Sequence, residues 1–147
     1  MLSHQALVDV IAKLDAQCRG RLGVAARRLG SDEEVVWHDQ DQFRTASTIK
    51  VGIHAVLMAE VGAGRIDLGR RIPLGTSDLT GGSGVLSVLR PGLEPTVADL
   101  CTLMIVISDN TATNTVIDLL GGVDEVNKGL RALGFSEIVL HRRLPWI

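Results

Sequence analysis

The stretch from Thr45 to Gly62, TASTIKVGIHAVLMAEVG, constrains this chain more than any other. After a start of small and polar residues, Val51, Ile53, Ala55, Val56, Leu57, Met58, Ala59 and Val61 make it apolar on nearly every side. A helix apolar all round is ordinarily buried at the centre of its domain, so the other elements are expected to pack around this one. Its polar residues gather at the start, where Ser47 and Lys50 stand three positions apart. Residues at that spacing share a helical face, with Cβ atoms roughly 5–6 Å apart. A hydroxyl is thereby expected beside an amine at the mouth of a buried helix.

The rest of the chain supplies plausible packing partners. Leu7, Val10, Ile11 and Leu14 repeat at helical spacing, which predicts an amphipathic helix from Ser3, its N-cap, to Gln17, with Gly20 as a stop. Arg21 to Leu29 and Glu34 to His38 read as two strands around the turn Gly30-Ser31-Asp32. Residues 65–89 are loop-rich, with the pair Arg70-Arg71, Pro73 and the cluster Gly81-Gly82-Ser83-Gly84. Thr96 caps a second apolar helix, Val97 to Ile107, which stops at the polar triplet Ser108-Asp109-Asn110. Helices over Ala112–Leu120 and Val123–Leu133 follow, bounded by Gly121-Gly122 and Gly134. Two strands among five helices are too few for a stable sheet. Its continuation is expected in residues lost from the chain or in a second chain.

Composition removes several classes of function. A net charge of −2 and a pI near 6.0, without a basic run or an aromatic platform, leave no footprint for nucleic-acid binding. The longest apolar stretch is too short and interrupted to span a bilayer. The N-terminus lacks the apolar core of a signal peptide, so the protein is expected to be cytoplasmic, or secreted or periplasmic if a signal has been removed. Cys18 and Cys101 lack metal-ligand spacing and read as small core or boundary thiols. His4, His38, His54 and His141 show no zinc spacing and read as surface or boundary residues.

Serine needs a neighbouring base to become a nucleophile. His54 lies seven residues beyond Ser47, about 10 Å of helical rise, too far for a hydrogen bond. Lys50 is one turn away, and burial at a positive helix end favours its neutral amine. The same helix start turns the Ser47 N–H outward as half of an oxyanion hole. Alone, S-x-x-K reads better as a capping serine and a solvated first-turn lysine, because such a match turns up by chance in roughly one chain in two or three. The S-D-N triplet at 108–110 shifts the balance, since it is expected by chance in on the order of 2 % of chains this long.

These two motifs together resemble the class A β-lactamase-like serine hydrolases and penicillin-binding proteins. Phe43 to Lys50, Ser83 to Leu86, Thr96 to Leu100 and Ser108 to Asn114 follow in that family's order and near its spacing. The resemblance implies an α/β (α+β) fold, here its N-terminal half, with a helical subdomain and two strands of an incomplete antiparallel sheet. Residues 1–147 would form one truncated domain, with the first helix and hairpin in 1–45 and the helical subdomain bearing the nucleophile in 46–135. It implies Ser47 as the acylated nucleophile, Lys50 as its proton acceptor and Ser108 as a proton relay to the leaving nitrogen. Asn110, Ser83 and Gly84 would contact substrate, while Asp109 fixes the turn and Asn114 braces the loop beyond.

The departures are equally specific. The family's K-T-G strand is absent, and with it the second oxyanion donor and the clamp for the substrate carboxylate. The glutamate of the E-x-x-L-N segment is expected near Leu144, where there is no acid; Leu140 to Leu144 resembles the segment of relatives lacking it. Some members join the position of Cys101 to the central helix by a disulfide, but His54 stands at the partner position. The activity implied is acyl transfer to water from β-lactams or acyl-D-alanyl peptides, with no cofactor or metal. A complementing fragment or a swapped protomer would complete the sheet. The alternatives are a degenerate relative that binds a ligand or partner without turnover, and a serine esterase or peptidase of the same fold.

Overall fold

The computed structural model describes residues 3–144. The chain divides into two compact units, Met1–Arg44 and Thr45–Ile147.

In the first unit, helix α1 (His4–Gln17) begins where expected, because the Ser3 hydroxyl accepts from the Ala6 N–H at 3.2 Å. Strands β1 (Val24–Arg27) and β2 (Glu34–Trp37) form an antiparallel hairpin, with Val24 opposite Trp37 and Arg27 opposite Glu34. The helix packs on β2, and Trp37 Nε1 donates to Asp15 at 3.2 Å. That contact half-buries Val8, Ile11 and Ala12, whereas Leu7, Val10 and Leu14 of the expected apolar stripe remain exposed. Strands of four residues shelter only a narrow strip of the helix.

The second unit is built on α2 (Ile49–Gly62), against which α3 (Val97–Val106), α4 (Asn110–Leu119) and α5 (Val123–Ala132) pack. Ile53, Val56 and Leu57 meet Leu100, Met104, Val116, Ile117, Val126 and Leu130 in one apolar core. The expectation of burial on every side is corrected here: Val51 is 62 % and Met58 39 % exposed. The apolar circumference of α2 exceeds what three neighbouring helices cover.

Short 3₁₀ turns occupy Ala46–Thr48, Thr76–Asp78 and Leu86–Val88. Within the stretch read as loop, 71 bridges 96, and Ile72 and Leu74 donate to Pro95 and Leu93, each at 2.9 Å. Thr96 caps α3 as expected, reciprocating with Asp99 in a capping box. Cys18 and Cys101 are both free, but Cys18 is exposed rather than a core or boundary thiol. Among the described residues no helix is long and apolar enough to cross a membrane, and no cluster of three metal-binding side chains occurs.

Candidate active site

The site is assembled where the start of α2 meets the turn between α3 and α4. Ser47 does not lie in α2 itself. It sits exposed in the 3₁₀ turn that precedes the helix, because Ala46 has φ +45° and breaks regular helix on its N-terminal side. Ser108, at the opposite wall, has φ +59°. Left-handed backbone at residues other than glycine costs free energy and tends to persist at functional sites, held by surrounding structure.

Lys50 is 2 % exposed, and its ammonium is satisfied by three oxygens. Nζ donates to Ser108 O at 2.6 Å, to Ser108 Oγ at 2.9 Å and to Asn110 Oδ1 at 2.9 Å. An ammonium has three N–H groups, and all three are directed at the S-D-N turn. The expected hydrogen bond between Ser47 and Lys50 is therefore not formed; the i, i+3 spacing places the two residues side by side, but the turn outcompetes the serine. Burial pushes the Lys50 pKa below the usual lysine value, partly opposed by the negative charge of Asp109.

Asp109 holds the turn. Its carboxylate caps α4 through the Ala112 N–H at 2.9 Å and accepts from the Val85 and Leu86 N–H groups at 2.7 and 2.9 Å. Three hydrogen bonds satisfy a carboxylate that is only 1 % exposed. The helix thus starts at Asn110, two residues earlier than the spacing of apolar residues predicts, because capping by Asp109 extends it.

The glycine-rich loop is laid along this turn. Asn110 donates from Nδ2 to Gly81 O at 3.0 Å and from its backbone to Ser83 O at 2.9 Å. Gly84 has φ +115°, and a Cβ there would lie 2.3 Å from the Asp109 carboxyl carbon. Only glycine lets the backbone pass so close. Ser83, beside it, is exposed on the rim.

Asn114, one turn beyond Asn110 on α4, joins the rim to another segment. It donates to Thr80 Oγ1 and Leu144 O, each at 3.0 Å, and accepts from Leu144 N at 2.9 Å. Thr80 and Thr111 add a buried pair, Thr80 N donating to Thr111 Oγ1 at 2.8 Å. Sequence reasoning missed Thr80 and Thr111, since isolated threonines carry no signal apart from a partner. Of the eight residues singled out, Ser108 and Asn110 are linked through Lys50, and Asn110 is linked to the backbone of Ser83, whereas Asp109 holds the Val85 and Leu86 backbone beside them and Asn114 holds Thr80 and Leu144. Ser47 borders this group from the 3₁₀ turn, and Gly84 presses against it. His54 carries a buried Nδ1 without a hydrogen-bond partner and takes no part.

A profile of the beta-lactamase enzyme family matches residues 6–146. The chain is 30 % identical over 141 residues to a β-lactamase of Rhodobacter capsulatus, covering 96 % of this chain and 48 % of that one. A β-lactamase structure from Sphaerobacter thermophilus superposes with a TM-score of 0.87 at 37 % identity, covering 98 % of this chain and 54 % of that chain. PBP-A, in a leucine-to-glutamate mutant solved as an acyl-enzyme complex with penicillin G, gives a TM-score of 0.89 at 30 % identity, covering 96 % and 54 %. The chain spans about half the length of the curated relatives it matches. On sequence and on fold alike, the chain belongs to the beta-lactamase enzyme family, of which it represents the N-terminal part.

Proposed function

We propose that this chain is the nucleophile-bearing half of a serine acyl-enzyme hydrolase acting on β-lactams or acyl-D-alanyl peptides. The observation that carries this reading is the buried Lys50 amine, its pKa depressed, held against Ser108 and Asn110 beside Ser47. In its neutral form the amine keeps two N–H groups and gains a lone pair. It accepts the Ser47 proton, directly or through one water, as Oγ bonds to the substrate carbonyl carbon. The bond from that carbon to nitrogen then breaks, and Ser108 Oγ, next to Nζ, passes a proton to the leaving nitrogen. The Ser47 N–H supplies one oxyanion donor. The acyl group leaves Ser47 when water attacks the ester. The capture of PBP-A with penicillin G supports the choice of substrate class.

A complementing polypeptide rests on a separate observation: among the described residues the sheet has two strands, and apolar side chains of α1 and of α2 are exposed. Loss of one oxyanion donor alone costs about 10²–10³ in rate, so the chain by itself is expected to label poorly. The test is intact-mass analysis with a fluorescent penicillin, on the chain alone and completed by the C-terminal half of the Sphaerobacter thermophilus relative. One adduct per completed chain, lost in Ser47→Ala, is expected. An adduct that survives Ser47→Ala overturns the assignment, and stoichiometric labelling of a stable monomeric chain overturns the need for a complement. Release is expected to be slow, because Leu144 stands where a deacylating acid is expected; Leu144→Glu should speed it by about 10²-fold or more.

A further inference from the structure

A side-chain carboxamide presents a donor beside an acceptor, the complement of the N–H and C=O of a single extended residue. This pairing occurs twice along residues 137–144, which have no helix or strand. Asn114 on α4 pairs with both backbone groups of Leu144. Asn127 on α5 pairs in the same way with Leu140, accepting from its N–H and donating to its C=O, each at 2.8 Å.

The clamped residues are four apart, and His141, Arg142 and Arg143 between them are exposed. Leu140 is 5 % exposed and seats its side chain in the core. A strand of backbone held at one point can still shift along its length; held at two points, the intervening residues have one register. Asn114 also bonds Thr80 Oγ1, so the second clamp is tied to the glycine-rich rim. Asn110 and Asn114 share a face of α4 at i, i+4 spacing, which sets the Leu144 backbone one helical turn from the residue that holds Lys50.

We infer that Asn127 is a positioning residue for the proposed acyl-enzyme site. By pairing with Leu140 it sets the register in which Leu144 reaches Asn114, and so holds the wall at 140–144 against the rim at 80–86. This role rests on the acyl-enzyme reading, yet its structural half is measurable without turnover.

The test compares Asn127→Asp and Asn127→Ala by amide hydrogen exchange on the chain and by rates of Ser47 labelling on the completed protein. Ionised aspartate is nearly isosteric but has no donor and opposes Leu140 O; protonated, it again offers one donor and one acceptor. Asn127→Asp is therefore expected to lose at least tenfold of the protection at both Leu140 and Leu144 near neutral pH. Protection should return below about pH 4, where the carboxyl is protonated, while Ile53 and Leu100 stay protected throughout. Asp124 and Arg131 at helical spacing on α5, with Glu137 and His141 on the segment, are all retained in Asn127→Ala, which should show no recovery. Labelling of Ser47, compared near neutral pH, should slow several-fold in Asn127→Asp relative to the unsubstituted protein. Unchanged protection at Leu144 while Leu140 opens overturns the inference. So does unchanged labelling in a protein whose Leu144 has opened. Absence of labelling in the unsubstituted protein overturns the acyl-enzyme reading, while exchange at Leu144 still decides whether Asn127 sets the register.

Discussion

The two units use similar sequence patterns to different ends. Both contain helices with a legible apolar pattern, yet among the described residues every buried side chain belongs to the second unit. In α1 no residue is buried, and Leu14 is 53 % exposed. In α2 and α3, Leu57 and Leu100 are fully enclosed. The difference lies in what surrounds each helix: α1 faces a hairpin of two four-residue strands, whereas α2 faces three helices. Apolar periodicity orients a helix, and the free energy of burial, about 25 cal/mol per Å² of apolar area, is realised only where a neighbour removes that area from water. The second unit also buries Lys50, Thr80, Asp109, Thr111, Thr113 and Asn114. Such burial is tolerable because Lys50, Asp109, Asn114 and the threonines find partners in one another and in nearby backbone.

The largest expected effect tests this contrast directly. Leu57→Ala should cost about 2–5 kcal/mol in urea denaturation, through lost burial and the cavity left behind. Leu14→Ala should stay within about 0.5 kcal/mol, as for an exposed site. Equal losses would mean that α1 is covered in solution as thoroughly as α2. Next comes Gly84→Ala, which meets both a positive φ and the Asp109 carboxyl. A loss of about 1–3 kcal/mol is expected, and the exchange protection of the Val85 and Leu86 amides should fall with it; protected amides would show that the loop does not depend on close approach to Asp109.

A smaller effect belongs to Lys50. Its folded pKa is depressed, so between that pKa and the ordinary lysine value the unfolded chain binds more protons. Stability should then rise with pH across that window, and the penalty should be present in full below it. Lys50→Met is expected to flatten this part of the stability profile; an unaltered slope would assign the titration to another group. The smallest effect is at the cap of α1. Ser3→Ala should cost about 0.5–1 kcal/mol, read as fraying of the first turn by amide exchange rather than as a shift in global unfolding.

Much of the fold could be read from residue order. Among the described residues, five helices and one hairpin occur where periodicity, caps and glycines mark them, with most ends displaced by at most two residues; β1 starts three residues later than expected, and α2 starts at Ile49, beyond Ser47. Phe43 to Lys50 and Ser108 to Asn114 carried the family. Less legible were the features that depend on a distant partner. The pairing of 70–74 with 92–97 has no periodic signature, because its strands are too short and irregular. The 3₁₀ turn at Ser47 follows from the left-handed conformation of Ala46, which alanine does not advertise. Asn127 passed unnoticed because an asparagine on an amphipathic helix reads as surface until its backbone partner, Leu140, is known.

By itself the sequence determined which segments are helical and which residue types meet at Ser47-x-x-Lys50 and Ser108-Asp109-Asn110. These are local properties: propensity, capping and the identity of neighbours along the chain. Tertiary structure alone decided that Lys50 turns from Ser47 to Ser108 and Asn110, and that Asp109 gathers Val85, Leu86 and Ala112. It also decided that two asparagines clamp one irregular segment. The reason is that a buried polar group must find its partner wherever the fold brings one within about 3 Å, and sequence separation does not enter that requirement.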